Sequence, residues 1–345
     1  MRTVRLVERI DGYQRRHSWL GFPLAVIYKF FDDQGNLLSA MIAYYGFLSL
    51  FPLMLLLTTA LGFVLHDNAH LQAQVVQSAL AQFPVIGDQL RTNIKALHGS
   101  GTALVVGILG TVYGGLGIAQ AVQNAFNKVW AVPRNERPNP VLSRLRGLLL
   151  LLVIGLGVLA TTVLSALSTG AKAYGADLGG GARIAATVLS IVVNGLLLML
   201  AFRVATARDI STKDIRVGAV TAAIAWQLLQ MIGTYYLGHK LRGATQVYGL
   251  FGIVLGLLAW IYLEALILVF CTEINVVRRD GLWPRALLTP LTDDVDLTSA
   301  DKEAYASYAA AERFKGNEEV EVSFNDRGND GTASEPPAES PPASR

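Results

Sequence analysis

The strongest constraint on this chain is its last long apolar stretch, which runs from Val247 to Asn275 and contains no Lys, Arg, Asp or His. About 20 consecutive apolar residues span the hydrocarbon core of a bilayer, and this stretch is longer. It nevertheless carries two carboxylates, Glu264 and Glu273. A carboxylate inside a membrane helix is costly unless it has a partner or water. The stretch therefore predicts a membrane helix and marks both glutamates as candidate functional residues.

The composition agrees with a membrane protein. Hydrophobic residues make up 52% of the chain and charged residues 16%, whereas charged residues form about a quarter of soluble domains. The single cysteine, Cys271, excludes a disulfide within the chain. Residues 1–36 lack a short apolar region followed by a cleavage site, so we expect no secretory signal.

Hydropathy predicts an all-α fold, a polytopic six-helix transmembrane bundle with amphipathic interfacial helices. The predicted spans are Ser39–Leu65, Ala103–Val122 (with helix continuing to Trp130), Gly147–Leu167, Ile184–Ala207, Val217–Leu237 and Val247–Val269. They form a membrane domain over residues 39–280, with an external loop at 66–102. Residues 1–38 form a predicted cytoplasmic amphipathic segment.

Basic residues orient the predicted spans, because cytoplasmic loops are enriched in Lys and Arg. Four segments are rich in them: the N-terminal segment, the loops after spans two and four, and the exit of span six. Both termini are therefore predicted to be cytoplasmic. Residues 293–345 hold 13 of the 26 acidic residues and 5 of the 29 basic ones. We expect residues 281–345 to form an acidic, largely disordered tail, with disorder from about Asn317.

Two segments outside the spans show helical periodicity. In the external loop, apolar residues recur at helical spacing from Leu71 to Phe83 and again from Ile86 to Leu97. This predicts two amphipathic helices broken at Pro84. Before span one, an aromatic-rich pattern predicts a cytoplasmic interfacial helix; its residues are Trp19, Phe22, Val26, Tyr28, Phe30 and Phe31.

Small residues and one proline indicate how the spans pack. Gly110 and Gly114 form a GxxxG pair in span two, as do Gly252 and Gly256 in span six. Close helix packing is the simplest interpretation, and a hinge or thin cavity wall is the alternative. Pro52 is expected to bend span one, because proline removes a backbone donor.

Polar residues within the spans are candidates for lining a substrate path. They are Gln120, Asn124 and Asn127 on one face of span two, Asn194 in span four, Gln227 and Gln230 in span five, and Tyr44 and Tyr45 in span one. Hydrogen bonding between helices is the alternative for each. Glu273 is expected at the membrane interface beside Asn275.

Arg203 and Glu264 are predicted to lie at similar depth. Counted from the outer ends of their spans, Arg203 is roughly 29 Å deep and Glu264 roughly 26 Å deep at 1.5 Å per residue. We hypothesise that they pair or flank one inner cavity. In the alternative, Arg203 extends to the interface and Glu264 is a protonated or solvated residue near the inner boundary.

The chain has no Walker loop, no HExxH and no GxSxG motif. We therefore expect no enzyme activity, no cofactor and no metal. His66, Asp67 and His70 are interpreted as part of an exposed polar loop. The basic loops are explained by topology and anionic membrane lipids, and no motif indicates nucleic acid.

Four stretches resemble the YihY/BrkB family of bacterial inner-membrane proteins, and its YhjD branch most of all. They are AMIAYYGFLSLFPLMLLLTTALGF (Ala40–Phe63), NAFNKVW (Asn124–Trp130), the basic entry to span three from Arg144, and the YG…WIY…E.N pattern of Tyr248–Asn275. The resemblance covers about residues 20–280. It implies a role in envelope integrity, in places with virulence or serum resistance, and for the YhjD branch export of lipid-linked envelope precursors. The ribonuclease BN label carried by some members is regarded as a misannotation.

The combined expectation is a protein that transports or flips an envelope lipid or another anionic envelope component. In this hypothesis Arg203 attracts an anionic headgroup and Glu264 supplies a titratable position. Asn124 and Asn127 then line the inner entrance. The alternative is a membrane scaffold for envelope assembly that transports nothing.

Overall fold

The computed structural model describes residues 10–64, 101–173, 180–240, 244–290, 292 and 295–324. In these residues the regular structure is helical, and no strand occurs among them. A short 3-10 helix covers Arg134–Glu136. The α-helices are α1 (Ser18–Asp32), α2 (Gly35–Val64), α3 (Gly101–Val129), α4 (Pro140–Ala173), α5 (Gly180–Ala205), α6 (Thr212–Lys240), α7 (Ala244–Asp280) and α8 (Ser299–Ala311). The all-α prediction is confirmed for this part of the chain.

Within the residues that the structure describes, four helices are long and apolar enough to cross a membrane. The qualifying segments lie in α4, α5, α6 and α7, at the positions of predicted spans three to six. The first two predicted spans correspond to α2, of 30 residues, and α3, of 29 residues. Within the described residues of α2 only a shorter apolar segment, Gly35–Leu50, qualifies. The membrane class is thus established, whereas the count of six spans is not.

The long helices pack in chain order and close on themselves. Each helix from α2 to α6 packs against the next, and α7 packs against both α6 and α2. The helix α3 also contacts α5 and α7, so it lies toward the inside of this ring. The helix α1 packs on α7 and α2. The ring brings the ends of α3, α5 and α7 and the starts of α2, α4 and α6 to one end of the bundle, which we call the polar end.

Glycines permit the closest helix contacts in the ring. A Cβ placed on Gly114 of α3 would lie 2.8 Å from Ser49 Cα of α2, closer than packed carbon atoms come. A Cβ on Gly218 of α6 would collide with the Cys271 carbonyl and the Asn275 amide of α7. Gly114 therefore lies at a close contact between α3 and α2. Gly110, Gly252 and Gly256 are half-buried on their helices.

The terminal segments meet at the polar end. Tyr28 on α1 donates a 2.5 Å hydrogen bond to the Leu287 carbonyl. Gln14 donates a 2.6 Å hydrogen bond to the Arg285 carbonyl. The segments next to both termini therefore lie at the same end of the bundle.

The tail predicted as largely disordered contains a folded helix. Thr298 caps α8 by accepting a hydrogen bond from the Asp301 N–H, and the Asp301 carboxylate accepts one from the Thr298 N–H. This reciprocal capping box stabilises a helix start and corrects the prediction for residues 299–311. Residues 325–345, the predicted external helices of 66–102 up to residue 100, and His66, Asp67 and His70 lie outside the described residues.

Candidate functional site

The predicted pair of Arg203 and Glu264 is not formed. Arg203 is exposed near the end of α5, and no ion pair joins it to Glu264 among the described residues. The reason is the order of the ring, because α6 packs against both α5 and α7 and lies between them. Equal depth in the membrane therefore did not imply contact. The alternative, in which Arg203 extends from its helix end, describes its position better.

Glu264 lies on α7 in a largely apolar setting. One of its carboxylate oxygens is buried and has no well-aligned hydrogen-bond donor from the described residues. The Trp260 indole, one helical turn earlier, lies close enough to interact with the carboxyl. Trp260 itself fills the space over Gly233 of α6. An intramembrane carboxyl without a fixed partner is a strong functional candidate.

The predicted asparagine face separates into two different environments. Asn124 is exposed, whereas Asn127 is buried and its Oδ1 accepts a 2.8 Å hydrogen bond from the Ala207 N–H. Asn127 thus joins the end of α3 to the segment after α5, which is a structural role. Gln123, which had not been singled out, is buried and exchanges hydrogen bonds with Ser143 at the start of α4.

The other candidates in the spans are spread over the bundle. Tyr44 is exposed and packs edge-on against the half-buried Tyr45, with ring centroids 5.3 Å apart. Tyr45 covers Gly117 of α3. Asn194 is half-buried on α5. The helix α2 continues through Pro52.

The structure instead assembles a buried ion cluster at the polar end, consisting of Lys29, Asp33 and Glu273. The Lys29 ammonium forms an ion pair with Asp33, lies 3.2 Å from Glu273 Oε2 and donates a 2.9 Å hydrogen bond to the Val129 carbonyl. The three side chains are 1%, 3% and 0% exposed. Glu273 was predicted to lie at the membrane interface, and the structure buries it against Lys29 at the polar end.

A second network, centred on the buried arginine Arg285, lies beside this cluster. Arg285 Nε is 2.5 Å from Asp301 Oδ1 on α8, and Arg285 Nη2 is 2.9 Å from Asp32 Oδ2 on α1. Tyr305 of α8 lies under the guanidinium at 5.5 Å. Burial alone would lower the pKa of Arg285, but Asp301 and Asp32 raise it above its ordinary value. Arg285 therefore stays charged and holds α8 against α1.

Sequence reasoning missed both cations because it counted Lys29 and Arg285 among the basic residues that orient the spans. A signal for Lys29 was present. It shares the inner stripe of α1 with Ala25, Val26 and Phe30, all buried, and Asp33 follows at the i,i+4 spacing of a helical ion pair. A lysine on an apolar stripe with a carboxylate four residues later indicates a buried pair.

Other basic side chains at the polar end are exposed. Arg144 at the start of α4, Arg203 and Arg208 at the end of α5, and Arg216 at the start of α6 all lie on the surface. Exposed cations at a helix end suit anionic lipid headgroups. The described residues contain no group of three His, Cys, Asp or Glu side chains that could hold a metal ion.

Comparison with known proteins gives one family and three relatives. The family model for "Virulence factor BrkB" matches residues 26–286. The inner membrane protein YhjD of Escherichia coli K12 is 27% identical, over 70% of this chain and 76% of its own. A ribonuclease-like protein, YfkH of Bacillus subtilis 168, is 22% identical over 71% and 90%. An uncharacterized protein of Dickeya dadantii 3937 is 28% identical over 70% and 78%. No solved structure matches.

Proposed function

This chain belongs to the BrkB family of bacterial membrane proteins, and we propose that it transports or flips an envelope lipid or another anionic envelope component across the inner membrane. It supports envelope integrity in this way and is not an enzyme. Its partners are membrane lipids and envelope precursors. The inner-membrane location is the one named for the relative YhjD.

In this proposal α2 and α3 also cross the membrane, which gives six spans. The ring supports this, because α7 closes on α2 and α3 contacts α5 and α7 from within. A helix enclosed by membrane spans on several sides follows them through the bilayer. The polar end faces the cytoplasm, because its exposed arginines follow the positive-inside rule. Both termini are then cytoplasmic.

The observation that carries the proposal is Glu264. Its buried carboxylate oxygen has no aligned donor among the described residues. Such a group destabilises a membrane helix, so its presence indicates a functional role. A membrane scaffold has no need for it, because an apolar side chain would pack as well. A transporter uses such a group to take up a proton or to face a moving charge.

The exposed arginines at the polar end explain why the transported component would be anionic. Arg203 and Arg208 at the end of α5 attract a negatively charged headgroup to the polar end. Asn124, exposed on α3, is available to the same headgroup. Asn127 is not part of this surface, because its amide oxygen is bonded to Ala207 N–H.

The test is reconstitution of the full chain in liposomes that contain fluorescent phosphatidylglycerol, with fluorescent phosphatidylcholine as the zwitterionic comparison. We expect wild type to move the anionic probe faster than the zwitterionic one, and Glu264→Gln to reduce that rate at least tenfold. Glu303→Gln, an exposed glutamate on α8, is the matched control and should retain the rate.

The scaffold alternative makes a different prediction for the same samples. It predicts no protein-dependent movement of either probe, and it predicts that Glu264→Gln cells keep normal envelope integrity at matched protein level. Movement of both probes at equal rates in wild type and Glu264→Gln would also contradict the proposed role of Glu264.

A further inference from the structure

The buried ion cluster has matched geometry for one ammonium ion. A lysine ammonium has three N–H donors, and three oxygen-bearing groups surround Lys29: the Asp33 carboxylate and the Val129 carbonyl, which accept hydrogen bonds, and Glu273 Oε2, which lies 3.2 Å away in an ion-pair contact. These groups come from the turn after α1, from α3 and from α7. Lys29 therefore joins three separate parts of the chain through one buried charge.

The charges in this cluster do not balance. Two carboxylates face one ammonium, and because Asp33 and Glu273 both contact the same Lys29 Nζ, the two carboxyl groups are close neighbours. No described group donates a well-aligned hydrogen bond to either Glu273 oxygen. Two ionised carboxylates in contact repel each other, and a buried charge without a partner is strongly disfavoured. A single proton between them removes both problems and supplies the missing O–H donor.

The neighbouring groups do not provide a second positive charge. On the α8 side, the Tyr308 ring faces Lys29 at 5.5 Å. Arg285 is already paired with Asp301 and Asp32. From the described part of α3, the Val129 carbonyl, which carries no positive charge, contacts the cluster. The surroundings thus add more carboxylates than cations.

Burial opposes the ionised forms of the acidic groups beside the cluster and outside the spans. Burial raises the pKa of Asp32, and the adjacent Arg285 only partly offsets that effect. Burial also raises the pKa of the Tyr308 hydroxyl, and Lys29 opposes this. For Lys29 burial alone would lower the pKa, but Glu273 and Asp33 raise it well above its ordinary range. The ammonium therefore does not supply the proton by losing its own.

We propose that Asp33 and Glu273 share one proton and that the buried ion cluster is a proton-binding site at the polar end. The ligand is a single proton, held between a carboxyl of the α1–α2 turn and a carboxyl of α7 beside the Lys29 ammonium. This inference does not depend on the transport proposal, which concerns Glu264, nine residues earlier on α7.

Infrared spectroscopy of the purified full chain at neutral pH tests the site directly. A protonated carboxyl gives a C=O stretch that ionised carboxylates lack and that shifts when water is exchanged for heavy water. We expect this band in wild type and its loss in both Glu273→Gln and Asp33→Asn, because each variant leaves one ionised carboxylate paired with Lys29. Glu303→Gln, which removes an exposed carboxyl on α8, is the control and should keep the band. An unchanged band in both cluster variants overturns the proposal.

Unfolding at several pH values gives a second, independent measurement. The folded pair keeps a proton that the same carboxyls release in the unfolded chain above about pH 5.5. The folded state then binds one more proton, so the unfolding constant rises tenfold per pH unit as pH increases. Detergent-induced unfolding should show this slope in wild type, and Glu273→Gln should lack it. Asp33→Asn replaces Glu273→Gln if that variant does not fold. Equal slopes in wild type and the variant contradict a shared proton.

Discussion

The polar end and the membrane body, by which we mean the parts of α2–α7 beyond the polar end, are held together by different interactions. At the polar end, buried charges such as Lys29 and Arg285 join terminal segments to the bundle. In the membrane body, apolar side chains face outward, among them Leu109, Tyr113 and Phe251. There the helices meet at small residues.

This difference follows from the solvent on each side. Lipid tails are as apolar as the side chains of the spans, so burial of apolar surface does not drive the spans together, and close contact at glycines replaces it. The polar end borders water, where terminal segments would otherwise detach. Buried ion pairs with directed hydrogen bonds fix these segments in one position. Each region should therefore respond to a different kind of substitution.

The largest effect is expected at Lys29. Lys29→Met keeps the length of the side chain but leaves Asp33 and Glu273 buried without their cation, and breaking such a pair costs about 3–5 kcal/mol. Detergent-induced unfolding of the purified protein measures this loss. Lys128→Met is the matched control, because the Lys128 ammonium makes an exposed 3.5 Å contact with Gln34, and it should change stability by less than about 0.5 kcal/mol. Equal effects of the two variants would show that buried ions do not hold the polar end.

The membrane body should respond to volume instead. Gly114→Ala in the middle of α3 places a methyl group 2.8 Å from Ser49 Cα of α2. Overpacking of this kind costs about 1–3 kcal/mol. Gly155→Ala is the control, because a Cβ at Gly155 of α4 meets no atom within 4 Å. It should lie within about 1 kcal/mol of wild type, on the stabilising side.

Unfolding midpoints of the two alanine variants, measured under the same conditions, separate the effect of close packing from that of helix propensity. If Gly114→Ala were as stable as Gly155→Ala, then α2 and α3 would adjust freely, and close contact at glycine would not explain the cohesion of the membrane body.

Hydropathy and periodicity were sufficient to predict the helical membrane fold and the positions of the long helices. Both patterns extend over 20 residues or fewer. They therefore predict the secondary structure and the environment of each segment, but not which segments pack against each other. The ion pair between Lys29 and Glu273 joins residues far apart in the chain. Its partners could be recognised only once α1 was placed against α7.

Two predictions, the Arg203–Glu264 pair and the disordered tail, were made from one general property of each segment, its depth or its composition. Arg203 and Glu264 were paired by depth, although depth says nothing of the order of helices around a ring. The tail was classed by its acidic composition, although Thr298 and Asp301 have the spacing of a capping box. A local start signal and one buried partner, Arg285, were enough to fold α8 within an acidic segment.

The smallest predicted effect separates backbone fit from charge at the polar end. Both α3 and α7 end with a left-handed residue, and the next N–H bonds back to the last turn: Val132 N–H to the Asn127 carbonyl, and Leu282 N–H to the Val277 carbonyl. In α7 the left-handed residue is Gly281, but in α3 it is Ala131, with φ of 47°. Glycine is favoured at such a position because it has no Cβ to clash.

Ala131→Gly should therefore stabilise the protein by about 0.5–1 kcal/mol, because it relieves this strain without touching the adjacent Val129 carbonyl that binds Lys29. The converse variant, Gly281→Ala, should destabilise by a similar amount. Detergent-induced unfolding of both variants is the measurement. A loss of stability in Ala131→Gly would mean that the Ala131 methyl group packs favourably at the polar end. The backbone conformation at residue 131 would then affect stability less than side-chain contacts do. The polar end and the membrane body would in that case differ less in the interactions that stabilise them.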